Sequence, residues 1–339
     1  MKKALYFEKR DDKIRCLLCP HFCLISEGDI GRCGVRQNRD GVLYSLVYEQ
    51  AIAANIDAIE KKPLFHVYPG SKSFSVATMG CNFTCRFCQN HDISQVKGHP
   101  GHLRGQHATA SQIAQSASDH GCKTIACTYT EPTIYFEYAL DIAKKAKDQG
   151  VETVWVSNGY ITPDPLKEIA PYLTAMNIDL KGWDKDFYRN VVGGNLSSVL
   201  KTLELAKSLG IWLEVTTLMV PEYVEDPQHI REIATFIHDN LGSETPWHIS
   251  RFYPQYECDQ MEQTPVSAMR KAMEIGQEVG LKYVYSGNVP GDDGEHTRCY
   301  QCGELLIERY GFNILKNRIQ KGQCSSCQAE IHGIGMSES

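Results

Sequence analysis

The sequence predicts an α/β fold, a full or partial (β/α) barrel with small cysteine-rich modules at its N- and C-terminal ends. Three observations carry this. From Ser71 to about Pro290, short apolar runs alternate with amphipathic stretches of helical period. Gly121, Gly150, Gly210 and Gly280 follow four of those stretches, where a helix end favours a residue at positive φ. Most of the fourteen cysteines fall in three tight groups, one before the alternating region, one at its start and one after it. The chain divides accordingly into residues 1–70, 71–290 and 291–339.

Composition narrows the function classes. With 339 residues and 42% hydrophobic content the chain can bury a sizeable core. A net charge of −6 without a basic stripe argues against a nucleic-acid partner. The start, Met1-Lys2-Lys3-Ala4-Leu5-Tyr6, has no apolar core of a secretory signal, and no apolar run of eighteen residues calls for a membrane span. Many cysteines without an export signal point to metal ligation in a reducing compartment, so a cytoplasmic location is the expectation.

The first unit holds Cys16-x2-Cys19-x3-Cys23-x9-Cys33, with Pro20, Gly28, Gly31 and Gly34 supplying turns. These four cysteines read as ligands, and ligand softness leaves zinc and an auxiliary iron–sulfur cluster both open. Val42–Tyr48 reads as a strand, and His66 as a buried, bonded histidine. Within the barrel, the expected strands are Phe74–Met79, Thr124–Thr130, Thr153–Ser157, Ala175–Leu180, Trp212–Val220, His248–Tyr253 and Leu281–Tyr285. The expected helices are Ala110–His120, Ile134–Gln149, Pro165–Tyr172, Leu196–Leu209, Pro227–Asn240 and Pro265–Val279. Such repeats give a parallel sheet whose chemistry lies at the C-terminal strand ends. No G-x-G-x-x-G follows the first strand, which disfavours a dinucleotide fold.

Those strand ends are polar. The first runs into Cys81-x3-Cys85-x2-Cys88, three thiols able to converge on one centre. Zinc would want a fourth ligand, for which His91 is the nearby candidate; a cubane held by three thiolates keeps one iron open. The next ends carry Thr130-Glu131-Pro132, Ser157-Asn158-Gly159, Asp179-x-Lys181, Thr216 and His248. In the last unit, Cys299-x2-Cys302 and Cys324-x2-Cys327 flank a hairpin pattern around Tyr310-Gly311, the signature of a zinc ribbon. Cys122 and Cys127 read as core residues, and Cys258 as a loop thiol on the active face, a candidate hydrogen donor.

The C-x3-C-x2-C spacing with Phe87 before the last cysteine resembles the radical S-adenosylmethionine (radical SAM) superfamily. The resemblance implies a [4Fe–4S] cluster on Cys81, Cys85 and Cys88, with S-adenosylmethionine (SAM) chelated to the open iron. It implies reductive cleavage to a 5′-deoxyadenosyl radical, and oxygen sensitivity suited to anaerobic life. The strand ends resemble the pyruvate formate-lyase activating enzymes, whose Gly-Gly-Glu-Pro contact to the SAM amino group corresponds to Tyr129–Pro132. By the same likeness Thr130, Glu131, Ser157, Asn158, Asp179, Lys181, Thr216 and His248 are cofactor-binding. Arg251 is the candidate replacement for a family arginine that Thr216 displaces. The segment Cys16-Leu-Leu-Cys-Pro-His-Phe-Cys23, the run Ile59–Phe65 and the C-terminal ribbon resemble the radical SAM protein of the AmmeMemoRadiSam system. That likeness implies Memo-like and AMMECR-type partners and an electron donor such as flavodoxin or ferredoxin. The function implied is an oxidoreductase abstracting hydrogen from a small molecule or a partner protein. A glycyl-radical enzyme activase and a non-catalytic, metal-dependent adaptor are the competing readings.

Overall fold

The computed structural model describes residues 1–96 and 102–337. Its centre is one eight-stranded sheet. The strands are β1 (Ala53–Ala58), β2 (Lys72–Ala77), β3 (Thr124–Cys127), β4 (Glu152–Ser157), β5 (Ala175–Asp179), β6 (Trp212–Met219), β7 (Trp247–Arg251) and β8 (Val284–Gly287). They lie in sequence order, β8 to β1, and the two end strands do not pair, so the barrel is partial. Neighbours from β2 to β8 are parallel, as strand–helix crossovers require. The edge strand β1 is antiparallel to β2 and was not expected. Its sequence, Ala-Ala-Asn-Ile-Asp-Ala, carries weak strand propensity, and the pairing is set by tertiary position.

Among the described residues, six α-helices of seven residues or more cover the sheet: α1 (Ala110–Asp119), α2 (Phe136–Asp148), α3 (Pro163–Ile169), α4 (Leu196–Ser208), α5 (Pro227–Phe236) and α6 (Val266–Val279). Their ends follow local chemistry. Thr109 and Gln112 form a reciprocal capping box on α1. Asp226 caps α5, where Pro227 loses no hydrogen bond at the first position. Gly280 ends α6 at φ 103°, a left-handed conformation costly for a residue with a Cβ. The expected helix Pro227–Asn240 is in fact α5 followed by a π-type turn, Ile237–Leu241. Trp155, Trp247, Tyr135, Phe136 and Tyr138 are fully buried between helices and sheet. Side chains of this size contribute about 1.5–3 kcal/mol each on burial.

The N-terminal segment is pinned to the barrel by an ion pair. Arg36 Nη2 meets Glu137 Oε1 of α2 at 2.9 Å, with both side chains at most 3% exposed. The last segment is a three-stranded sheet of β9 (Thr297–Arg298), β10 (Leu305–Tyr310) and β11 (Asn313–Asn317). Arg309 of β10 ties it to the chain between β1 and β2: it donates to Phe65 O (3.0 Å) and lies over the Phe65 ring at 4.2 Å, while its bond to Thr297 Oγ (2.7 Å) stays within the segment. Among the described residues no helix is long and apolar enough to cross a membrane.

Candidate active site

At the C-terminal ends of the strands lies a cavity of about 800 Å³. Cys81, Cys85 and Cys88 line it together with Thr130, Glu131, Ser157, Asn158, Asp179, Lys181, Thr216 and His248. Strand register does part of this: Asp179 pairs with Thr216, and Thr216 with His248, so three of these side chains form one row across β5, β6 and β7.

The cysteine loop is built by the chain itself. Thr84 N donates to Val192 O (3.0 Å), Arg86 N to Val191 O (3.2 Å) and Gly80 N to Ile93 O (2.9 Å). A Cβ on Gly194 would come within 2.2 Å of the Phe83 ring, so glycine there is what lets the turn close on the loop. The Phe87 ring stacks on Phe187 at 5.9 Å. Phe83 N (3.4 Å) and Asn158 Nδ2 (3.8 Å) approach Cys81 Sγ, two donors aimed at one sulfur. Burial pushes the Cys85 thiol up to about 12 and Cys81 well above the ordinary range. Such thiols stay protonated until a bound cation displaces the proton. His91 is not with them: it stacks on Tyr256 at 4.6 Å and bonds to Cys88 O. No three of these sulfurs lie within 4.8 Å of one another, a wider spacing than one small tetrahedral ion sets between its thiolates.

Glu131 lines the cavity and also bonds across two strand ends. Its Oε1 accepts from Thr133 N (2.9 Å), Thr133 Oγ (2.6 Å) and Ser157 Oγ (2.9 Å), and its Oε2 from Asn158 N (2.8 Å). It is a clamp between the ends of β3 and β4. Burial pushes its carboxyl up while these bonds pull it down, with burial prevailing. Tyr129 adopts the left-handed conformation at φ 63°. Its hydroxyl donates to Asp57, and Lys62 lies over its ring at 4.7 Å, contacts that hold an otherwise strained backbone.

Asp179 and Lys181 pair at 2.9 Å on the cavity wall. Burial opposes the Lys181 charge, but the charge of the Asp179 carboxylate and its hydrogen bond outweigh it and keep the ammonium firmly protonated. Thr216 Oγ donates to Asn177 Oδ1 (2.9 Å). His248 Nε2 bonds to Glu214 Oε2 (2.6 Å), and Phe65 N and His66 N donate to the same carboxylate. Burial raises the Glu214 carboxyl, but the His248 bond and charge leave it below the usual range.

Two expectations are corrected. Arg251 does not reach the cavity: its Nε donates to Thr264 O (2.7 Å). Strand parity explains this, because His248 and Ser250 line the cavity while Ile249 and Arg251 face the other way. Cys258 is 4% exposed and does not line the cavity, so it is not the exposed active-face thiol expected from the sequence. Cys122 and Cys127 are buried, and His66 is buried and bonded to Tyr285 Oη (2.6 Å).

Other lining residues were not among the expected site residues. Lys61 and Phe65 reach the cavity from the segment between β1 and β2, Tyr129 from just beyond the end of β3, and Tyr310, Gly311 and Phe312 from the tip of the β10–β11 hairpin. That tip stands at the rim, with Tyr310 67% and Phe312 51% exposed. In the same unit the Cys299–Cys327 and Cys302–Cys324 sulfurs are 3.6 and 3.7 Å apart, and all four lie within 4.8 Å of one another. A single tetrahedral ion with metal–sulfur bonds near 2.3 Å sets such sulfurs about 3.8 Å apart, so these four fit one metal ion.

Residues 75–237 match the family model of the radical SAM superfamily. The chain is 45% identical over 334 residues to an uncharacterized protein of Methanocaldococcus jannaschii, covering 98% of this chain and 99% of the relative. It is 32% identical over 276 residues to a probable GTP 3′,8-cyclase of Sulfolobus acidocaldarius, 74% of each. It is 23% identical over 175 residues to a pyruvate formate-lyase-activating enzyme of Clostridium pasteurianum, 50% of this chain and 70% of that one. Among solved structures, Streptococcus suis SuiB bound to S-adenosylmethionine shares the fold, with a TM-score of 0.51 at 15% identity, over 68% of this chain and 53% of that one.

Proposed function

This chain belongs to the radical SAM superfamily, and we propose that it is an oxidoreductase that initiates radical chemistry at the Cys81–Cys88 loop. The observation that carries this reading is the shared cavity: three open-spaced thiols and the polar strand ends line one space of about 800 Å³. In the proposal Cys81, Cys85 and Cys88 hold a [4Fe–4S] cluster, and Thr130, Ser157, Asn158, Asp179, Lys181, Thr216 and His248 surround SAM. When bound, the pair supplies a one-electron cleavage of SAM to a 5′-deoxyadenosyl radical that abstracts hydrogen. The chain's own residues prepare for that. Phe83 N and Asn158 Nδ2 place donors beside Cys81 Sγ, favouring the more negative state of whatever the sulfur holds. Glu131 fixes Ser157 and Asn158. The Asp179–Lys181 pair offers a carboxylate and an ammonium side by side, matching an amino-acid zwitterion.

We propose that the protein acts as the radical SAM member of an AmmeMemoRadiSam system, a reading supported by its N-terminal cysteine segment, its Ile59–Phe65 run and its C-terminal four-cysteine unit. The three units 1–70, 71–290 and 291–339, zinc in the ribbon, a flavodoxin- or ferredoxin-type donor, Memo-like and AMMECR-type partners and a cytoplasmic setting belong to that proposal. The substrate is a small molecule or an exposed segment of a partner protein. The aromatic rim of Tyr310 and Phe312 favours a planar or peptide-like group at the entrance. The similarity to a pyruvate formate-lyase-activating enzyme supports a glycyl-radical activase as the second reading. The test is anaerobic reconstitution followed by reduction. Wild-type protein releases 5′-deoxyadenosine, and Cys85→Ala releases none while keeping its ribbon metal. Unchanged release from Cys85→Ala would sink the assignment.

A further inference from the structure

Away from the active-site cavity, a second and smaller one lies inside the N-terminal segment. Cys16, Cys19, Cys23 and Cys33 all line it, together with Arg36 and Asn82. None of the four is in a disulfide. Their spacing separates them from the ribbon. The ribbon sulfurs draw to 3.6–3.7 Å, the span of one tetrahedral ion. No three of the N-terminal sulfurs come within 4.8 Å of one another. In this they match Cys81, Cys85 and Cys88.

Arg36 supplies an independent observation. The side chain is 2% exposed. Nη1 and Nη2 are used on Glu137 and Leu5 O, but Nε, also buried, has no partner. A buried N–H donor left unmatched is costly, and Arg36 lines the cavity that the four cysteines share.

We propose that Cys16, Cys19, Cys23 and Cys33 hold a second iron–sulfur cluster of the [4Fe–4S] class, closed by four thiolates, with Arg36 Nε donating to its sulfur. All four corners are protein-ligated, so this cluster has no open iron and binds no substrate. It lies close to the proposed radical centre. A Cβ on Gly80, the residue before Cys81, would come within 2.8 Å of Cys33 O. His21 and Asn82 also line the second cavity, and the His21 ring bonds to Asn82 O at 2.7 Å, one residue from Cys81. The inference goes beyond the proposed function: the site stands whether or not the first cluster initiates radicals.

The test uses full-length protein reconstituted anaerobically with iron and sulfide, then desalted. A Cys81→Ala/Cys85→Ala/Cys88→Ala variant should retain about four irons and about four sulfides per chain and, once reduced, an electron paramagnetic resonance signal. Cys19→Ser/Cys23→Ser in that background should remove iron, sulfide and signal together, leaving one zinc. If the triple variant binds two zincs and no sulfide, or one zinc and nothing else, the second cluster is overturned. Should the triple variant not fold, Cys19→Ser/Cys23→Ser in the otherwise wild-type chain decides. Loss of about half of the iron and sulfide, with the SAM-responsive signal kept, supports the site; unchanged iron overturns it. Failure of the radical reading shows separately, as a wild-type signal that does not respond to SAM.

Discussion

Replacing Glu131 with glutamine separates a clamp from a ligand. The carboxylate accepts three bonds on Oε1 and one on Oε2. A glutamine can match only one side. With its carbonyl toward Thr133 and Ser157, its amide turns N–H against the N–H of Asn158, and a buried donor is stranded, costing about 1–3 kcal/mol. The three remaining bonds lose charge assistance, roughly 0.5–1 kcal/mol each. Removing a charge whose burial is unfavourable returns part of this, since burial already pushes the Glu131 carboxyl up. The net expectation is a loss of about 1–3 kcal/mol. In urea denaturation of equally metallated proteins the midpoint should fall with an unchanged slope. SAM affinity should fall too, because Asn158 loses its anchor beside Cys81. Unchanged stability together with SAM affinity weakened about tenfold or more would refute this reasoning, since Glu131 would then act on the ligand directly.

Three further outcomes follow from the structure. Burial holds the His66 imidazole down at about 4 against its ordinary 6.5. Its neutral form therefore stabilises the fold fully above pH 6.5, and this contribution, about 3 kcal/mol, is lost as pH falls from 6.5 to about 4. A nitrogen-15 titration should find this ring neutral at pH 6. Gly80→Ala would force a Cβ within 2.7 Å of Val35 and 2.8 Å of Cys33 O at a φ of 100°. It should destabilise by about 1–3 kcal/mol and lower iron content, read by denaturation and metal analysis. Chelation of a metal held by the four ribbon thiolates should raise hydrogen exchange in β10 and β11 while β3 to β6 stay protected, because the core of that small sheet holds few apolar side chains beside the four cysteines.

Much of the barrel was legible because its signals are local. Period-2 and period-3.6 runs, glycine after helices and proline at helix starts are set by backbone sterics, and they located the seven parallel strands within a few residues. The polar strand ends followed from the rule that such sheets present chemistry at one end. What stayed hidden is tertiary. The edge strand β1 has no pattern of its own and exists through pairing with β2. The reach of Tyr310–Phe312 to the cavity depends on Arg309 meeting Phe65 across 244 residues. Arg251 was misplaced because its charge was weighed without strand parity, which turns it away beside the inward His248. Glu131 was placed correctly, but its four bonds come from Thr133 and from the next strand end, and no motif records them.

The account rests on a three-thiol centre with one corner free to take SAM. The most direct measurement is electron paramagnetic resonance of the reduced Cys19→Ser/Cys23→Ser protein, before and after SAM. The account predicts a cubane signal whose g-values shift when SAM is added and which disappears in Cys85→Ala. A signal indifferent to SAM, or no iron at Cys81, Cys85 and Cys88, would contradict it.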